Sequence, residues 1–428
     1  METPLKDTDV QGLNVQGLKY FHRLLPLLDR LKDVGCQRDT AGNRKLFFDD
    51  YVKLVLLYLW NPLISSMRML QKVAALPKVI KALGVRRFST GSFSEAPAVF
   101  QPQMLKEVID ELAGELRPLS QNPKLVEVKR AVTLADSTVL GGLAGLAGAA
   151  VNQTRYSTTR DGRELHGWRL HLQLDLKTFS PCRAIVTGAA NAGPIREHNV
   201  LKAHLEAGRC YVGDCAYGDR GVLDQVVAAD SSYVMRVRED SVFEVLEEKE
   251  LSQAALDAGV VRDVIVRLGG ADAAQMSHTV RLVEVKINPQ PRRTRKAKAG
   301  VLKGGRCSDR LLIVSDMTDL EAELVALVYQ QRYSVELFFR FLKQVLSLRH
   351  LISQRPEGVE ILVYCAIIAC LVIQLQTGKK PDKRMVEMMG WFFLGLASEQ
   401  DVIDHLNAPD NKGVKLRAKA ELWKKLGY

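Results

Sequence analysis

The chain has 428 residues, 47% hydrophobic and 25% charged, the balance of a soluble globular protein with material for roughly two to four domains. A net charge of +11 and a pI near 9.2 favour a polyanionic partner, most simply nucleic acid, though a merely basic soluble protein has the same balance. Seven scattered cysteines without a CxxC, and eight histidines without zinc-ligand spacing, point away from a disulfide framework or zinc site and towards a reducing, cytoplasmic setting. Met1–Val10 is polar and acidic, unlike a signal peptide. The longest apolar run, Ile361–Ile373, is expected to be a buried helix too short to span a bilayer, so no membrane partner is expected.

From Leu18 to Leu119 the pattern is helical. Phe47–Trp60 is strongly apolar and stops at Asn61-Pro62; Ser65–Val73 and Pro77–Leu83 are shorter, the second ending at Gly84. Phe88–Glu95 supplies turn residues and an N-cap, and Gln103–Leu116 is a last amphipathic helix. Lys72, Lys78, Lys81, Arg86 and Arg87 gather around the short helices, which suits either a helix-turn-helix-like DNA-binding unit or a plain helical bundle.

After Pro123 the period changes to that of strands. Val126–Leu134, Trp168–Leu176 and Arg183–Gly188 are predicted strands, Gly193–Leu205 a helix, Cys210–Gly213 a strand, Arg220–Ala229 a helix and Tyr233–Val237 a strand. The sum is a mixed sheet with helices packed on it. Asp136 and Asp214 each fall at or near the end of an apolar strand, where side chains leave the core while the backbone stays fixed. Either could equally be a turn former or helix N-cap. Val260–Leu268, Thr279–Ile287 and Leu311–Ser315 alternate like strands. Between the last two lies Arg292–Arg306, with seven cations and no acids, including Arg292, Arg293, Arg295, Lys296 and Lys298. It reads as a solvated basic loop or as a phosphate-contacting one that binds any sequence.

Tyr329–Leu348 is predicted to be one helix. At about 100° per residue Tyr329, Arg332, Glu336 and Lys343 share a narrow arc, with Arg340 and Ser347 beside them and the apolar residues mostly opposite. Such a stripe is either a solvated face with i,i+4 ion pairs or a site that holds a metal ion against phosphate oxygens. Asp136, Asp214 and Glu336 together would supply the carboxylates of a two-metal phosphoryl-transfer site, with Mg²⁺ or Mn²⁺ as the hard cation. Val359–Gln374 is a further buried helix, and Val386–Leu396 a helical pattern in a basic tail.

These blocks carry a resemblance. Leu134-Ala-Asp-Ser-Thr138 resembles the first-aspartate motif of the DDE transposases, and Val212–Arg220 (VGDCAYGDR) their second-aspartate block, with Asp214, Tyr217 and Arg220 at its polar positions. Tyr329, Arg332, Glu336 and Lys343 match the tyrosine–arginine–glutamate–lysine signature of the bacterial insertion-sequence family called IS-four. The resemblance covers about Leu18–Gln374. It implies an α/β fold in which a ribonuclease-H-like mixed sheet with flanking helices is interrupted by a β-rich insertion, with an all-α N-terminal domain and a helical C-terminal region. The expected boundaries are 1–122 (helical, DNA-binding), 123–239 (first part of the core), 240–318 (insertion), 319–375 (second part of the core) and 376–428 (basic, helical).

The implied activity is cut-and-paste DNA transposition: metal-dependent cleavage at the element's ends and strand transfer into target DNA. Asp136, Asp214 and Glu336 would hold two Mg²⁺ or Mn²⁺ ions. Tyr329, Arg332, Lys343, Arg220 and Tyr217, with the Arg292–Lys298 cations, would contact DNA phosphates. The partners would be double-stranded inverted-repeat ends, target DNA and a second copy in a synaptic homodimer, in the bacterial cytoplasm at the nucleoid. The alternatives are a catalytically inactive DNA-binding derivative and a metal-dependent nuclease on the same fold. Some relatives stack a flipped base on a tryptophan of the insertion; here no tryptophan lies between Trp168 and Trp391, and Phe243 is the candidate replacement.

Overall fold

The structure is a computed structural model that describes residues 21–408 apart from 35–37, 41, 43–44, 62, 86, 120–121, 141–154, 159–163, 190–192, 270–275, 287–308, 345, 347–350, 354 and 381–382. The Arg292–Arg306 cations, Arg86 and the basic tail from 409 onward therefore lie outside the described residues.

The N-terminal part is helical, as its periodicity predicts: α1 (Phe21–Asp29), α2 (Leu31–Val34), α3 (Phe48–Trp60), α4 (Met67–Ala74), α5 (Pro77–Leu83), α6 (Thr90–Glu95) and α7 (Met104–Gly114). Every residue of α3 is buried. Its one cation, Lys53, is neutralised by Asp49 at 2.9 Å and Asp29 at 3.2 Å, because a buried charge is tolerated only when paired. Gly84 ends α5 in the left-handed region at φ 68°, which a glycine adopts without steric cost. Ser89 caps α6 by accepting the Ser92 N–H. Lys72 and Lys81 lie on α4 and α5.

One mixed sheet follows. Its strands are β1 (Ala131–Leu140), β4 (Trp168–Asp175), β5 (Pro181–Gly188), β6 (Arg209–Gly213), β7 (Ser232–Val237), β8 (Phe243–Glu248), β9 (Val260–Leu268), β10 (Val280–Lys286) and β11 (Arg310–Ser315). A separate hairpin is formed by β2 (Arg155–Thr158) and β3 (Glu164–His166). Across the large sheet the order is β5-β4-β1-β6-β7-β11-β10-β9-β8. The β1–β6 and β6–β7 pairs are parallel and all others antiparallel. The strands of 240–318 thus continue the sheet from β7 rather than forming a sheet of their own; β8 and the short helix α10 (Gln253–Asp257) gave no clear period in the sequence.

Two expected elements differ. The strand expected over Val126–Leu134 starts later and runs further, because Pro123–Glu127 forms a 3₁₀ turn capped by Asn122, whose side chain accepts the Lys124 N–H. The helix expected over Gly193–Leu205 is a 3₁₀ turn followed by a short α8 (Glu197–Lys202).

Helices cover both faces. On one, α8 and α9 (Arg220–Ala228) enclose Ala135, Tyr211, Tyr233, Met235 and Leu282. On the other lie α11 (Ala322–Gln330), α12 (Tyr333–Gln344) and α13 (Pro356–Thr377), against Leu134, Leu172, Val212, Val234 and Ile313. The 22-residue α13 is long and apolar enough to cross a membrane, contrary to the length expected, yet 89% of its apolar window is buried inside the protein. It packs against α3, α7, β5 and α12, so that helix and sheet share one core; each fully buried Leu, Ile or Val on it contributes about 1.5–3 kcal/mol. Beyond it, α14 (Lys383–Phe393) packs on α12 and against α15 (Glu399–Asn407), whose Ser398 and Asp401 form a capping box.

Candidate active site

Asp136 is not at the end of its strand, since β1 stays paired with β4 as far as Leu140. It lies instead where the parallel neighbour leaves: the β1–β6 ladder closes at Leu134–Val212, and β6 ends at Gly213. Asp136 and Asp214 are each two residues beyond that last pair. They therefore leave the sheet in register, on the face that carries Leu134 and Val212 and is covered by α12.

The turn after β6 holds Asp214 in place. Its Oδ1 accepts the Ala216 N–H at 2.8 Å and its carbonyl the Tyr217 N–H at 3.0 Å, so this residue is a turn former as well as a candidate ligand. Gly213 and Gly218 are needed for close approach. A Cβ on Gly213 would meet Met235 Sδ at 2.8 Å and the Tyr217 ring at 2.9 Å; one on Gly218 would meet the Arg236 carbonyl at 2.5 Å. Tyr217 is consequently buried beneath the two aspartates rather than on the surface. Its hydroxyl is held well above its usual range by burial first, then by Glu197, Asp136 and Asp214.

The expected single helix Tyr329–Leu348 is broken. Tyr329 is in the last turn of α11, Arg332 lies between the helices, and Glu336 is in the first turn of α12. The link is made by i→i−3 bonds, Gln331 N–H to Val328 O, Arg332 to Tyr329, Ser334 to Gln331 and Val335 to Arg332. From this link Arg332 reaches both carboxylates: Nη2 is 2.6 Å from Glu336 Oε1, and Nη1 is 3.5 Å from Asp136 Oδ2. Lys343, two turns on, donates to Thr138 Oγ1 at 2.5 Å and Val139 O at 2.8 Å, tying α12 to β1 just beyond Asp136.

Charge is concentrated here. The Asp136 carboxyl is pushed up to about 6 by burial; Asp214 and Glu336 repel it further, while the Ser137 N–H (2.7 Å) and Arg332 oppose the rise. Tyr329 is buried and its hydroxyl raised, mainly by burial, with Arg332, Arg236 and Asp214 in its surroundings. The structure therefore brings together Asp136, Asp214, Glu336, Arg332, Tyr329 and Lys343. Arg220, the first residue of α9, donates to the Leu268 carbonyl on β9.

Three carboxylates are hard donors suited to a divalent cation, which would offset the cost of burying the charged Asp136 carboxylate and, to a lesser degree, its repulsion by Asp214 and Glu336. Among the described residues no three His, Cys, Asp or Glu side chains are close enough together to hold a metal ion. Between Asp136 and Glu336 stands the Arg332 guanidinium, a monovalent counter-charge. The donor chemistry suits a divalent cation, but to hold one the three carboxylates would have to draw closer as Arg332 gives way.

Sequence reasoning missed the polar face of β4. Alternation in WRLHLQLDL turns Arg169, His171 and Gln173 outward, but α8 covers that face, leaving Arg169 half-buried and burying His171 and Gln173, with Gln173 bonded to the His204 carbonyl. It also missed a cleft of about 590 Å³ beside Arg332, lined by Lys124, Arg236, Leu311, Tyr329 and Tyr333. Nothing in the local pattern could signal either, because both depend on which helix packs where.

Comparison with known proteins identifies the family. Residues 129–372, more than half the chain, match the family described as Transposase DDE domain. The probable transposase of insertion sequence element IS5377 from Geobacillus stearothermophilus is 23% identical over 297 residues, 68% of each chain. The transposase-named y4zB of Sinorhizobium fredii is 23% identical over 272 residues, 63% of this chain and 66% of its own. Among solved structures, a piggyBac transposase synaptic complex with hairpin DNA aligns with a TM-score of 0.42 and 13% identity, over 96% of this chain and 85% of that one. The chain belongs to the transposase DDE family, whose members generally use divalent metal ions, and is an enzyme of DNA transposition that works by nucleotidyl transfer.

Proposed function

We propose that this transposase cuts its element's double-stranded inverted-repeat ends and joins them to target DNA, as a homodimer at the nucleoid, and that Asp136, Asp214 and Glu336 hold two Mg²⁺ or Mn²⁺ ions. The observation that carries the reading is the register of Asp136 and Asp214 beyond the Leu134–Val212 pair, with Arg332 linking Asp136 to Glu336. The strand order β5-β4-β1-β6-β7, with its three antiparallel strands followed by two parallel ones, supports a ribonuclease-H-like core. Residues 1–122 would bind DNA, 240–318 would be the insertion, and 376–428 a helical end.

Divalent ions bound at the three carboxylates would polarise the scissile phosphate and lower the pKa of an attacking water. The chain's own residues would do the rest. The Arg332 fork matches a phosphate oxygen pair and would trade Asp136 and Glu336 for DNA. Lys343 would keep Glu336 against β1 while its charge faces the backbone. Tyr329 and Tyr217 would buttress Arg332 and the Asp214 turn, with Arg220 and the Arg292, Arg293, Arg295, Lys296 and Lys298 run on flanking phosphates. Cleavage and strand transfer would share one site, both being in-line displacements at phosphorus.

The experiment is nicking and joining of inverted-repeat duplexes with Mg²⁺. Wild type should do both, and Glu336→Gln should lose at least about 10³-fold in cleavage while binding ends with similar affinity. No nicking by wild type would leave a DNA-binding derivative; nicking without joining would leave a nuclease; a fully active Glu336→Gln would remove Glu336 from the site.

A further inference from the structure

The stretch of β1 that carries Asp136 is held less firmly than the rest of its strand. Beyond Leu134 its ladder to β6 is finished, and only β4 still pairs with it. A twist of the 136–137 peptide would swing the Asp136 carboxylate away from Asp214.

On the opposite face of the sheet that peptide is gripped. Arg169 on β4 donates from Nη1 to Ser137 Oγ at 2.9 Å, and from the same nitrogen to Glu197 in the first turn of α8. The paired side chains are only 14% and 15% exposed. Ser137 in turn donates its N–H to Asp136 Oδ1 at 2.7 Å. Tyr217 closes the group: fully buried, it lies within electrostatic reach of Glu197, Asp136, Asp214 and Arg169 together. A buried Arg–Glu pair contributes little net stability, because desolvation offsets the attraction and an apolar pair would fill the space at lower cost. Its position one residue from Asp136 supplies a different reason for it.

We propose that Arg169 and Glu197 are positioning residues of the active site: their pair fixes the Ser137 hydroxyl and, through the Ser137 backbone, fixes the orientation from which the Asp136 carboxylate would join Asp214 around a divalent cation. This rests on the reading of Asp136, Asp214 and Glu336 as the cation-holding set. Arg169 and Glu197 themselves touch neither DNA nor cation. They act through Ser137, so their loss weakens cation binding more than it slows the loaded enzyme.

The test compares full-length wild type with Ser137→Ala, Arg169→Lys, Arg169→Met and Asp136→Asn. Mn²⁺ binding is measured directly by EPR titration without DNA, beside urea melts and the Mg²⁺ dependence of nicking. Ser137→Ala and both Arg169 variants should bind Mn²⁺ about 10-fold or more weaker and need correspondingly more Mg²⁺ for half-maximal nicking, with the rate at saturation within about 3-fold of wild type. Ser137→Ala and Arg169→Lys keep the fold, the lysine by retaining a cation against Glu197, so the outcome does not depend on whether Arg169→Met folds. Mn²⁺ affinity that depends on Asp136 but is unchanged in Ser137→Ala and Arg169→Lys overturns the proposal alone and leaves a structural ion pair. No Mn²⁺ binding by wild type, or equal binding after Asp136→Asn, overturns the carboxylate reading and the proposal with it.

Discussion

Asp136→Asn should make the protein more stable while abolishing cleavage. The carboxyl sits near 6 instead of 3.8, so the folded protein holds a proton that the unfolded chain releases across the window between. Stability conferred by that proton is fully present below about pH 4, is lost as pH rises to about 6, and is constant above. A displacement of roughly two pH units corresponds to about 3 kcal/mol at 1.4 kcal/mol each. The side chain is 15% exposed, so solvent screening removes little, but asparagine also forfeits the Arg332 ion pair; a net gain of about 1–3 kcal/mol at pH 8 is expected. The assay is urea unfolding followed by circular dichroism at pH 8 and pH 4, with and without Mn²⁺. The asparagine variant should lead at pH 8, the lead should vanish at pH 4, and excess Mn²⁺ should stabilise wild type by up to about 2.7 kcal/mol at a hundredfold over Kd. A variant no more stable than wild type at pH 8, or equally ahead at both pH values, would refute the claim that burying the charged Asp136 carboxylate costs stability.

The remaining expectations concern neighbours of that aspartate. His171 is buried beside Arg169 and its imidazole is lowered to about 4 by burial, then by Arg169 and His204. Here the sign is reversed: the unfolded chain takes up the proton first, and stability falls as pH drops from 6.5 through 4. His171→Gln should lessen that acid loss by about 2–3 kcal/mol in the same urea series, and an unchanged acid limb would show that His171 is not its source. Gly218→Ala forces a Cβ against the Arg236 carbonyl, so unfolding free energy should fall by about 1–3 kcal/mol and nicking should fall with the displaced Asp214 turn. Arg332→Gln should lower nicking by about 10²–10³-fold with end binding in Ca²⁺ weakened far less; nicking within tenfold of wild type would exclude Arg332 from charge stabilisation.

Much of this site was legible because it sits where chain and sheet geometry coincide. Asp136 and Asp214 could be singled out because each follows an apolar strand, although the cause was misjudged: β1 does not end at Asp136, its parallel neighbour does. Alternation identified β4 but reversed the meaning of its polar face, since a period of two says which residues share a side and not what covers that side. α8 covers it, so that His171 and Gln173 are buried and Arg169 half-buried, and all three need partners. The core helix α13 was recognisable from composition alone. Its burial against α3 and α7 was not, because helix-on-helix packing joins segments more than 200 residues apart.

The helix that breaks at Gln331 shows why the period argument still worked there. A helical wheel assumes about 100° per residue, whereas i→i−3 bonding turns the chain by about 120°. Over the short link between α11 and α12 the added rotation is a few tens of degrees, small beside the width of the arc that held Tyr329, Arg332, Glu336 and Lys343. The wheel therefore predicted the correct neighbours from the wrong element. The break also changes what those neighbours are. Tyr329 belongs to a helix packed on β7, β10 and β11, while Glu336 and Lys343 belong to one packed on β1. Arg332 sits on the link between them, on backbone that a change in the angle between α11 and α12 would move. On that link a change in the angle between α11 and α12 would carry the guanidinium away from Asp136 without unwinding either helix, a backbone movement that a continuous helix would not allow.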